Sequence, residues 1–227
     1  MLVREYMSAN VISADEDTSI IKAAELMKKN KICRFPVLRN GELVGIVTDR
    51  DIRSAAPSQV VSFDQQERKL LPELYDYLAQ INVKVMMSRD VITIEPEQSI
   101  MAAAALMLRY HISGMPVVDS MEKIVGIITE SDIFKALVAL SGIYQGETLF
   151  GFELENRPGV IKNVADTIRE HGGRIVSIFS SSTSGEAQSR HVYIRASHLP
   201  SESLEALKKD LEKKATVLYM IREHVDT

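Results

Sequence analysis

The feature that most constrains the fold of this chain is an internal repeat in its first two thirds. The segment that begins at Val3, VREYMSANVISADEDTSIIKAAELMKKNKICRFPVLRNGELVGIVTDRDI, returns from Val83 as VKVMMSRDVITIEPEQSIMAAAALMLRYHISGMPVVDSMEKIVGIITESDI. Matching residues lie 80 positions apart, and after one inserted residue the spacing becomes 81. A segment that returns with its turns, its apolar helix face and its polar residues indicates a duplicated structural unit.

Each repeat is predicted to fold as a β-α-β-β-α unit. After a short strand and an acidic turn, apolar residues recur at the i, i+3, i+4, i+7 spacing of one helix face, over residues 20–27 and 100–107. A proline then opens a second strand, and a polar hairpin turn follows, with the strong turn signal Asn40-Gly41 in the first repeat. A third strand ends at a threonine that opens another helix. The predicted strands are residues 10–13, 36–38 and 43–47, and residues 90–94, 116–118 and 124–128.

The repeats are predicted to occupy residues 1–54 and 83–139, with a helical linker at residues 55–82. Pro57 and Ser58 interrupt the chain, and a helical stripe follows. The stripe consists of Leu70, Leu71, Leu74, Tyr75 and Leu78. Apolar stripes of this kind are more often core than partner-binding surfaces, so we expect a helix that packs on the repeats. Packing on a partner protein is the alternative.

A third unit is predicted at residues 147–227, after a hinge at residues 140–146 that contains Gly142 and Gly146. The predicted order is β-α-β-β-α-β. Its strands are residues 149–154, 174–180, 191–196 and 216–222, and Ser201 is expected to cap the second helix. This order gives an antiparallel sheet with helices on one face. The chain is therefore predicted to be an α+β protein.

Composition and charge exclude several classes of protein. The net charge is −4 and the pI is about 5.8, whereas a nonspecific nucleic-acid-binding protein needs a basic surface. No apolar run approaches the roughly 18 residues of a membrane span, and residues 1–10 lack a signal-peptide core. We therefore expect a cytoplasmic protein with neither nucleic-acid nor membrane partners. The one cysteine, Cys33, rules out an internal disulfide and is predicted to be a small, buried apolar filler.

Each repeat carries the motif Gly-x-x-Thr-x-x-Asp. Its copies are Gly45, Thr48 and Asp51, and Gly126, Thr129 and Asp132. One interpretation is a capping box, in which the threonine oxygen accepts a hydrogen bond from a helix N–H group. The other is a ligand site, in which the aspartate accepts two hydrogen bonds from a ribose diol. Capping boxes favour Glu or Gln and need no glycine at a fixed offset, so the repetition favours the ligand site.

These motifs make the two repeats resemble a tandem pair of CBS domains, also known as a Bateman module. The resemblance rests on the doubled GIVTDRD and GIITESD, on RFPV and GMPVV, and on the Met-Ser-x-x-Val-Ile starts. It covers about residues 3–137. It implies two packed units whose clefts bind adenosine compounds. It also implies that the Thr/Asp pair of one repeat faces the first strand and the pre-proline residues of the other.

The resemblance implies two clefts of different composition. The Thr129/Asp132 cleft is predicted to contain Thr129, Asp132, Val11, Ile12, Ser13, Arg34, Phe35, Pro36 and Arg50. The Thr48/Asp51 cleft is predicted to contain Thr48, Asp51, Val91, Ile92, Thr93, Gly114, Met115 and Pro116. Gly114 and Ser131 replace the two arginines in this second cleft. We therefore expect AMP, ADP or ATP in the Thr129/Asp132 cleft, and at most an uncharged nucleoside in the other. His111 is expected to be an ordinary surface residue.

The C-terminal unit resembles an ACT domain over about residues 147–226. The resemblance rests on FELENRPGVIKNVADTI, which matches the first strand, the Pro-Gly turn and the first helix. It implies a homodimer and an amino-acid ligand at the turn. The candidate amino-acid-binding residues are Asn156, Pro158, Gly159, Val160 and Ile161. The order of all the domains is similar to that of acetoin-utilisation regulatory proteins.

Three classes of function are consistent with the sequence. The favoured one is a non-catalytic regulatory sensor that binds an adenine nucleotide or another adenosine compound and acts on an unknown regulated protein. The alternative is a structural dimerisation protein without a physiological small ligand. The third is an enzyme, for which Ser180, Ser181, Ser182 and His191 would form a hydrolase site. These serines have no elbow glycine pattern and no placed acid. The sequence also contains no Gly-x-x-x-x-Gly-Lys loop and no metal-ligand cluster, so we expect neither a catalytic cofactor nor a metal.

Overall fold

The computed structural model of the chain describes residues 1–55, 72–182 and 188–223. The backbone forms two compact units, an N-terminal unit of residues 1–134 and a C-terminal unit of residues 135–227. Several predicted features lie outside the described residues: Pro57, Ser58, Leu70, Leu71 and the turn at residues 183–187. Within the described ranges, no helix is long and apolar enough to cross a membrane.

The N-terminal unit contains both repeats in the predicted order. Its elements are β1 (Ala14–Asp15), α1 (Ile20–Asn30), β2 (Arg34–Arg39), β3 (Glu42–Thr48), α2 (Asp49–Ala55), α3 (Pro72–Gln80), α4 (Ile100–Tyr110), β4 (Gly114–Val118), β5 (Ile124–Thr129) and α5 (Glu130–Ser141). In each repeat a serine caps the first helix: Ser19 Oγ accepts from the Lys22 N–H, and Ser99 Oγ from the Ala102 N–H. These serines explain where α1 and α4 begin.

The strands of each repeat form a small sheet. In the first repeat the order is β1-β2-β3, with β1 parallel to β2 and β2 antiparallel to β3. The β2–β3 turn has positive φ angles at Asn40 (52°) and Gly41 (86°), as a type I′ turn requires. The first strand of each repeat lies later than predicted. Pairing begins at Ala14 rather than at residues 10–13, and the second repeat has only an isolated bridge from Ile94 to Val117. The extended chain at the start of each repeat forms backbone pairs only where it runs beside β2 or β4, the strands that contain Pro36 and Pro116.

The start of each repeat pairs with the third strand of the other repeat. Ser8 and Ile127 exchange two backbone hydrogen bonds of 2.9 and 3.0 Å, and Ser88 and Ile46 exchange two of 3.0 Å. The preceding methionines pack on the motif glycines. A Cβ atom at Gly126 would lie 2.5 Å from Met7 Sδ, and one at Gly45 would lie 2.5 Å from Met87 Sδ. The glycine of each Gly-x-x-Thr-x-x-Asp motif therefore makes room for a methionine of the other repeat.

Opposite charges also join the two repeats at equivalent positions. Lys84 Nζ contacts Asp17 Oδ1 at 2.5 Å, and Arg4 Nη1 contacts Glu97 Oε1 at 3.5 Å. In each case the cation comes from the start of one repeat and the carboxylate from the acidic turn of the other. The hydrogen bond from Lys84 lowers the pKa of Asp17. These exposed pairs add specificity to the contact between the repeats, although such pairs contribute little free energy each.

The linker helix α3 packs on the first repeat. Leu78 is buried against Ile20 and Ile21 at the start of α1, and Tyr75 adjoins this cluster. The Ile20 N–H also donates to the Ile81 carbonyl oxygen at 2.9 Å. Tyr75 and Leu78 of the stripe therefore contribute to the core, as the sequence analysis favours, while the side chain of Leu74 lies outside the described residues.

The C-terminal unit is a four-stranded antiparallel sheet with two helices. Its elements are β6 (Thr148–Glu155), α6 (Val160–Glu170), β7 (Arg174–Ser182), β8 (Ser189–Ser197), α7 (Leu204–Glu212) and β9 (Thr216–Arg222). The strand order is β7-β8-β6-β9, so the predicted β-α-β-β-α-β order is present. One 3-10 turn, Ser201–Ser203, precedes α7, whose start is thus later than predicted. Strand β7 extends beyond its predicted end at residue 180 and includes Ser181 and Ser182, and Ser181 pairs with His191.

The two faces of this sheet differ. On the helix side, Phe150 and Phe152 stack at 6.0 Å within a core that includes Ile168. On the other side, the rings of Tyr193 and Tyr219 stack at 6.4 Å. Gly151 lies between them in register, and a Cβ atom there would lie 2.6 Å from the Tyr219 ring. The glycine thus allows the tyrosine ring to lie flat on the sheet.

We predict that Gly45→Ala destabilises the N-terminal unit by about 1–3 kcal/mol, since overpacking of a filled site has this cost. The new methyl group would overlap Met87 and approach the Ser88 carbonyl oxygen, 3.1 Å from the Cβ position. Urea unfolding measures the effect. In the double variant with Met87→Ala the two losses should be less than additive, because the overlap is gone. Fully additive losses of stability would show that contact with Met87 is not the reason why a side chain is excluded at position 45.

We predict that Asp17→Asn changes stability in a pH-dependent way. Hydrogen bonding to Lys84 lowers the pKa of Asp17 in the folded protein. The contribution of Asp17 to the free energy of unfolding is therefore complete above the pKa of the unfolded chain, about 3.8. The contribution is lost as pH falls from that value through the lowered folded pKa. The stability difference between wild type and variant should therefore be present at pH 6 and vanish in strong acid, as measured by thermal unfolding at low salt. A difference that persists unchanged in strong acid would contradict the ion pair.

Candidate functional site

The Thr/Asp pair of the first repeat lies where β3 meets α2. Asp51 Oδ2 accepts hydrogen bonds from the Thr48 N–H (2.8 Å) and from Thr48 Oγ1 (2.7 Å). The Asp51 N–H donates to Thr48 Oγ1 at 3.3 Å. These reciprocal bonds form a capping box. Asp51 Oδ1 has no hydrogen-bond partner within the described ranges, so the same carboxylate can cap the helix and still accept from a ligand.

The pair of the second repeat has the same local geometry and a different exposure. Asp132 Oδ2 accepts from the Thr129 N–H at 3.1 Å and from Thr129 Oγ1 at 2.6 Å. Asp132 is only 5% exposed, whereas Asp51 is half-buried. The carboxylate of the first repeat is therefore the more accessible of the two.

A cleft of about 1090 Å³ lies over the Thr48/Asp51 pair. Both repeats contribute to its wall, which includes the second-repeat residues Val91, Ile92 and Gly114 that the sequence analysis assigns to it. The other lining residues are Cys33, Arg34, Ile46, Asp49, Arg50, Arg53, Ser54, Ser88, Asp90, Tyr110, His111, Ile112, Ser113 and Glu130. The Thr48/Asp51 cleft is thus large and polar, and it contains three arginines.

The positions of Arg34 and Arg50 differ from the prediction, which places both in the Thr129/Asp132 cleft. Both line the Thr48/Asp51 cleft. Strand register explains the position of Arg34: it lies directly opposite Thr48 in the β2–β3 ladder, and opposite residues share a face of the sheet. Arg50 follows Thr48 by two residues and lies on the same side. The cleft expected to lack cations therefore has them.

Gly114 gives Arg34 its space. A Cβ atom at Gly114 would lie 2.7 Å from Arg34 Nη1 and 3.2 Å from Arg34 Cδ. Positions 34 and 114 are equivalent in the two repeats, and they meet in the structure. The space between them is filled by the side chain of Arg34. A Cβ atom at Gly114 would also lie 2.9 Å from the Ile128 carbonyl oxygen, so both Arg34 and the backbone of the second repeat favour glycine at this position.

Arg34 is poorly solvated for a charged group. Burial lowers the pKa of Arg34, and the nearby charge of Glu130 acts in the opposite direction. An arginine remains charged under such conditions. Neither Arg34 nor Arg50 makes a hydrogen bond or ion pair with the residues in the described part of the chain. By contrast, Arg53 is held by Asp49 on the same helix. Two free guanidinium groups in one cleft favour an anionic ligand.

Several other predicted site residues do not present their side chains to a cleft. Phe35 and Met115 are fully buried, and Phe35 belongs to the core of the first repeat. Pro36 and Pro116 are also buried within β2 and β4. Residues 35–37 of β2 and all five residues of β4 are buried, so these strands are covered on both faces. The half-buried residues Val11, Ile12 and Ser13 precede β1.

Thr93 belongs to a second cavity instead of the Thr48/Asp51 cleft. This cavity has a volume of about 710 Å³ and lies between the hairpin turns of the two repeats. Val91 lines both cavities. The remaining lining residues are Asn40, Gly41, Glu42, Leu43, Arg89, Met121, Glu122 and Lys123.

Most residues of the cleft wall were not assigned a site role from the sequence, and Cys33 and His111 are two of them. Cys33 is exposed in the cleft wall, so its prediction as a buried filler is wrong. It precedes β2 directly, outside the alternating core pattern. His111 is exposed as expected, and it also lines the cleft at the left-handed end of α4 (φ 54°). Both residues lie shortly before the proline of β2 or β4, next to segments predicted to line a cleft. This position is the sequence signal that could have identified them.

The five candidate amino-acid-binding residues surround the start of α6. Pro158 and Gly159 are exposed, while Val160 and Ile161 are half-buried. Gly159 has a φ of 90° and supplies no side-chain cap for the helix. Asn156 Oδ1 accepts a hydrogen bond from Arg190 Nη2 at 2.5 Å. The Asn156 side chain is therefore partly occupied by its own domain.

Comparison with known protein families assigns the N-terminal unit. The family model of the CBS domain matches residues 3–58 and 81–139, which together make up half of the chain. The chain belongs to the CBS domain family. A CBS domain-containing protein of Dictyostelium discoideum is 32% identical over 139 residues, which cover 61% of this chain and 92% of the relative. The match ends within α5, so the ACT resemblance of the C-terminal unit stays a prediction.

Solved structures of CBS proteins are also similar. The CBS domain of a membrane protein from Sphaerobacter thermophilus is 28% identical, has a TM-score of 0.52, and covers 60% of this chain and 86% of that chain. The CBS domain pair of protein MJ0100 was solved in complex with 5′-methylthioadenosine and S-adenosyl-L-methionine. It is 30% identical, has a TM-score of 0.48, and covers 60% of this chain and 95% of that chain.

We predict that Cys33 in the native CBS pair reacts with a maleimide reagent without denaturant. Because this is the only cysteine of the chain, labelling should reach one reagent per chain, as mass spectrometry would show. The reaction rate should approach that of the denatured protein, since the thiol is exposed. A thiol that reacts only after denaturation would contradict its position in the cleft wall.

Proposed function

We propose that this protein is a non-catalytic regulatory sensor that binds an adenine nucleotide in the Thr48/Asp51 cleft. The observation that carries the proposal is the combination, in one cleft, of a carboxylate oxygen and two arginines that have no hydrogen-bond or ion-pair partner among the described residues. Asp51 supplies the oxygen, and Arg34 and Arg50 supply the cations. The cleft volume of about 1090 Å³ is sufficient for a ligand of nucleotide size.

The ribose would be recognised by Asp51. A carboxylate accepts hydrogen bonds only, and a ribose diol offers two donors. Oδ2 is already held by Thr48, which fixes the orientation of the carboxylate. Because the two hydrogen bonds from Thr48 fix the whole carboxylate, the position of Oδ1 is fixed as well. The Asp51 side chain therefore needs no reorganisation when the sugar binds. Such preorganisation reduces the entropy cost of binding.

The phosphate would be recognised by Arg34 and Arg50. Guanidinium groups match phosphate geometry and form charge-assisted hydrogen bonds. The carboxylates Asp49, Asp51, Asp90 and Glu130 also line the cleft, and Asp49 is neutralised by Arg53. The local balance therefore favours a ligand with few negative charges, such as AMP, over ATP.

The Thr129/Asp132 cleft is proposed as a second site for an adenosine compound. Its Thr/Asp pair repeats the geometry of the first. Because Asp132 is the more buried carboxylate, a ligand there must displace more of the surrounding structure. We therefore place the tighter site at Asp51.

For the C-terminal unit we propose an ACT-type domain that mediates homodimerisation and binds an amino acid at Asn156, Pro158, Gly159, Val160 and Ile161. Its β7-β8-β6-β9 sheet order is that of the split β-α-β pattern. Nucleotide binding would shift the CBS pair between states of different affinity, and the dimer would transmit the shift to a regulated protein. A cytoplasmic role in acetoin utilisation belongs to the same proposal.

Asp51→Asn tests the ribose contact. Asparagine keeps one oxygen for Thr48 but replaces the other acceptor by an amide donor. We expect AMP and adenosine to bind about tenfold or more weakly, which corresponds to the loss of one hydrogen bond to a charged group. Isothermal titration calorimetry on the full chain measures the affinities.

The matched control is Asp76→Asn, which changes an exposed carboxylate on the linker helix α3 and should leave the affinities unchanged. Thermal unfolding gives an independent readout, since a ligand at 100 times its Kd stabilises by about 2.7 kcal/mol. If neither AMP nor adenosine stabilises the wild type, the sensor proposal is wrong and the structural dimerisation protein is favoured.

A further inference from the structure

We propose that Arg34 is one phosphate-binding cation shared by both clefts of the CBS pair, so that a phosphorylated ligand in one cleft weakens the binding of a second in the other. The proposal rests on the proposed function, because it requires adenosine ligands in both clefts. It adds a coupling between the two sites that neither cleft has alone.

The base of the Arg34 side chain belongs to the first cleft. Arg34 pairs directly with Thr48 across the β2–β3 ladder. Opposite residues in an antiparallel pair have Cβ atoms about 4.5–5.5 Å apart on the same face. The arginine therefore starts beside the threonine that holds Asp51, and its guanidinium lines that cleft.

The tip of Arg34 reaches the second repeat. Its Nη1 atom lies 2.7 Å from the position that a Cβ atom of Gly114 would occupy. Gly114 is directly opposite Thr129 in the β4–β5 ladder, so that Cβ position and the Thr129 side chain share one face. The guanidinium therefore lies on the same face of the second repeat's sheet as Thr129, within reach of a phosphate bound at the Thr129/Asp132 pair.

The second repeat cannot supply a cation of its own at this position. A Cβ atom at position 114 would lie 2.7 Å from Arg34 Nη1 and 2.9 Å from the Ile128 carbonyl oxygen, so a side chain there would conflict with the backbone as well as with Arg34. Arg34 itself has no hydrogen bond or ion pair within the described ranges, which leaves it free to turn to either side. Glu130, the residue after Thr129, lines the same cleft as Arg34, so the arginine lies close to both repeats.

One cation for two phosphates makes the sites compete. The first phosphorylated ligand fixes Arg34 on its own side, and the second then binds without that charge-assisted contact. Loss of such a contact corresponds to a weakening of about tenfold or more. An uncharged adenosine ligand does not use Arg34 and should show no coupling. The same reasoning makes the coupling reciprocal between the clefts.

Calorimetric titration of the full chain with AMP and with adenosine tests the proposal. The variants Asp51→Asn and Asp132→Asn each weaken one cleft and thus give the AMP affinity of the other cleft alone. We expect the second AMP on the wild type to bind at least tenfold more weakly than the weaker of these two single-cleft affinities. Adenosine should bind both clefts with its single-cleft affinities.

Arg34→Ala should weaken the first AMP and abolish the difference between the second AMP and its single-cleft affinity. Its adenosine affinities should stay unchanged, which also shows that the variant is folded. Arg169→Ala is the control, because Arg169 is an exposed arginine of the C-terminal unit that pairs with Asp166. That variant should keep the coupling.

Three results would contradict the proposal that Arg34 serves both clefts. In the first, two AMP molecules bind the wild type with their single-cleft affinities. In the second, the coupling survives Arg34→Ala, and in the third, adenosine binds to one cleft only. Binding of adenosine to both clefts without coupling between AMP molecules would reject this inference and leave the sensor function intact. Absence of any binding would reject both.

Discussion

The structure of the CBS pair depends on an exchange between its two repeats. The Met-Ser start of each repeat forms a β-bridge with the third strand of the other, and its methionine fills the space above a glycine. Neither repeat therefore completes its own sheet. The ion pairs Lys84–Asp17 and Arg4–Glu97 follow the same exchange. The contact between repeats is part of each fold, so the clefts between them have a fixed geometry.

This exchange gives the repeated motif two separate tasks. Its glycine serves packing, because Met7 and Met87 require the missing side chain. Its threonine and aspartate form a capping box that leaves Asp51 Oδ1 available to a ligand. The structural and the functional interpretations of the motif are therefore compatible. The helix cap orients the carboxylate, and preorganisation of this kind is what a binding site needs.

Much of the fold could be predicted from the sequence, because local signals specify it. The Asn40-Gly41 turn, the apolar helix faces and the β-α-β-β-α-β order of the C-terminal unit all depend on residues close in sequence. The positions of Arg34 and Cys33 depend on how two sheets face each other, which no local pattern reveals. Register could have placed Arg34 beside Thr48, since both flank one hairpin. Its contact with Gly114 required the structure.

The meeting of positions 34 and 114 also restricts how the duplicated gene can diverge. After a duplication, corresponding residues usually drift independently, but here a side chain at position 114 would approach both Arg34 and the Ile128 carbonyl oxygen. Such a conflict favours a pair of repeats with a large residue at one position and a small residue at the other. The difference between the repeats thus follows the steric conflict where positions 34 and 114 meet, and an alternation of large and small residues there is expected among homologous pairs.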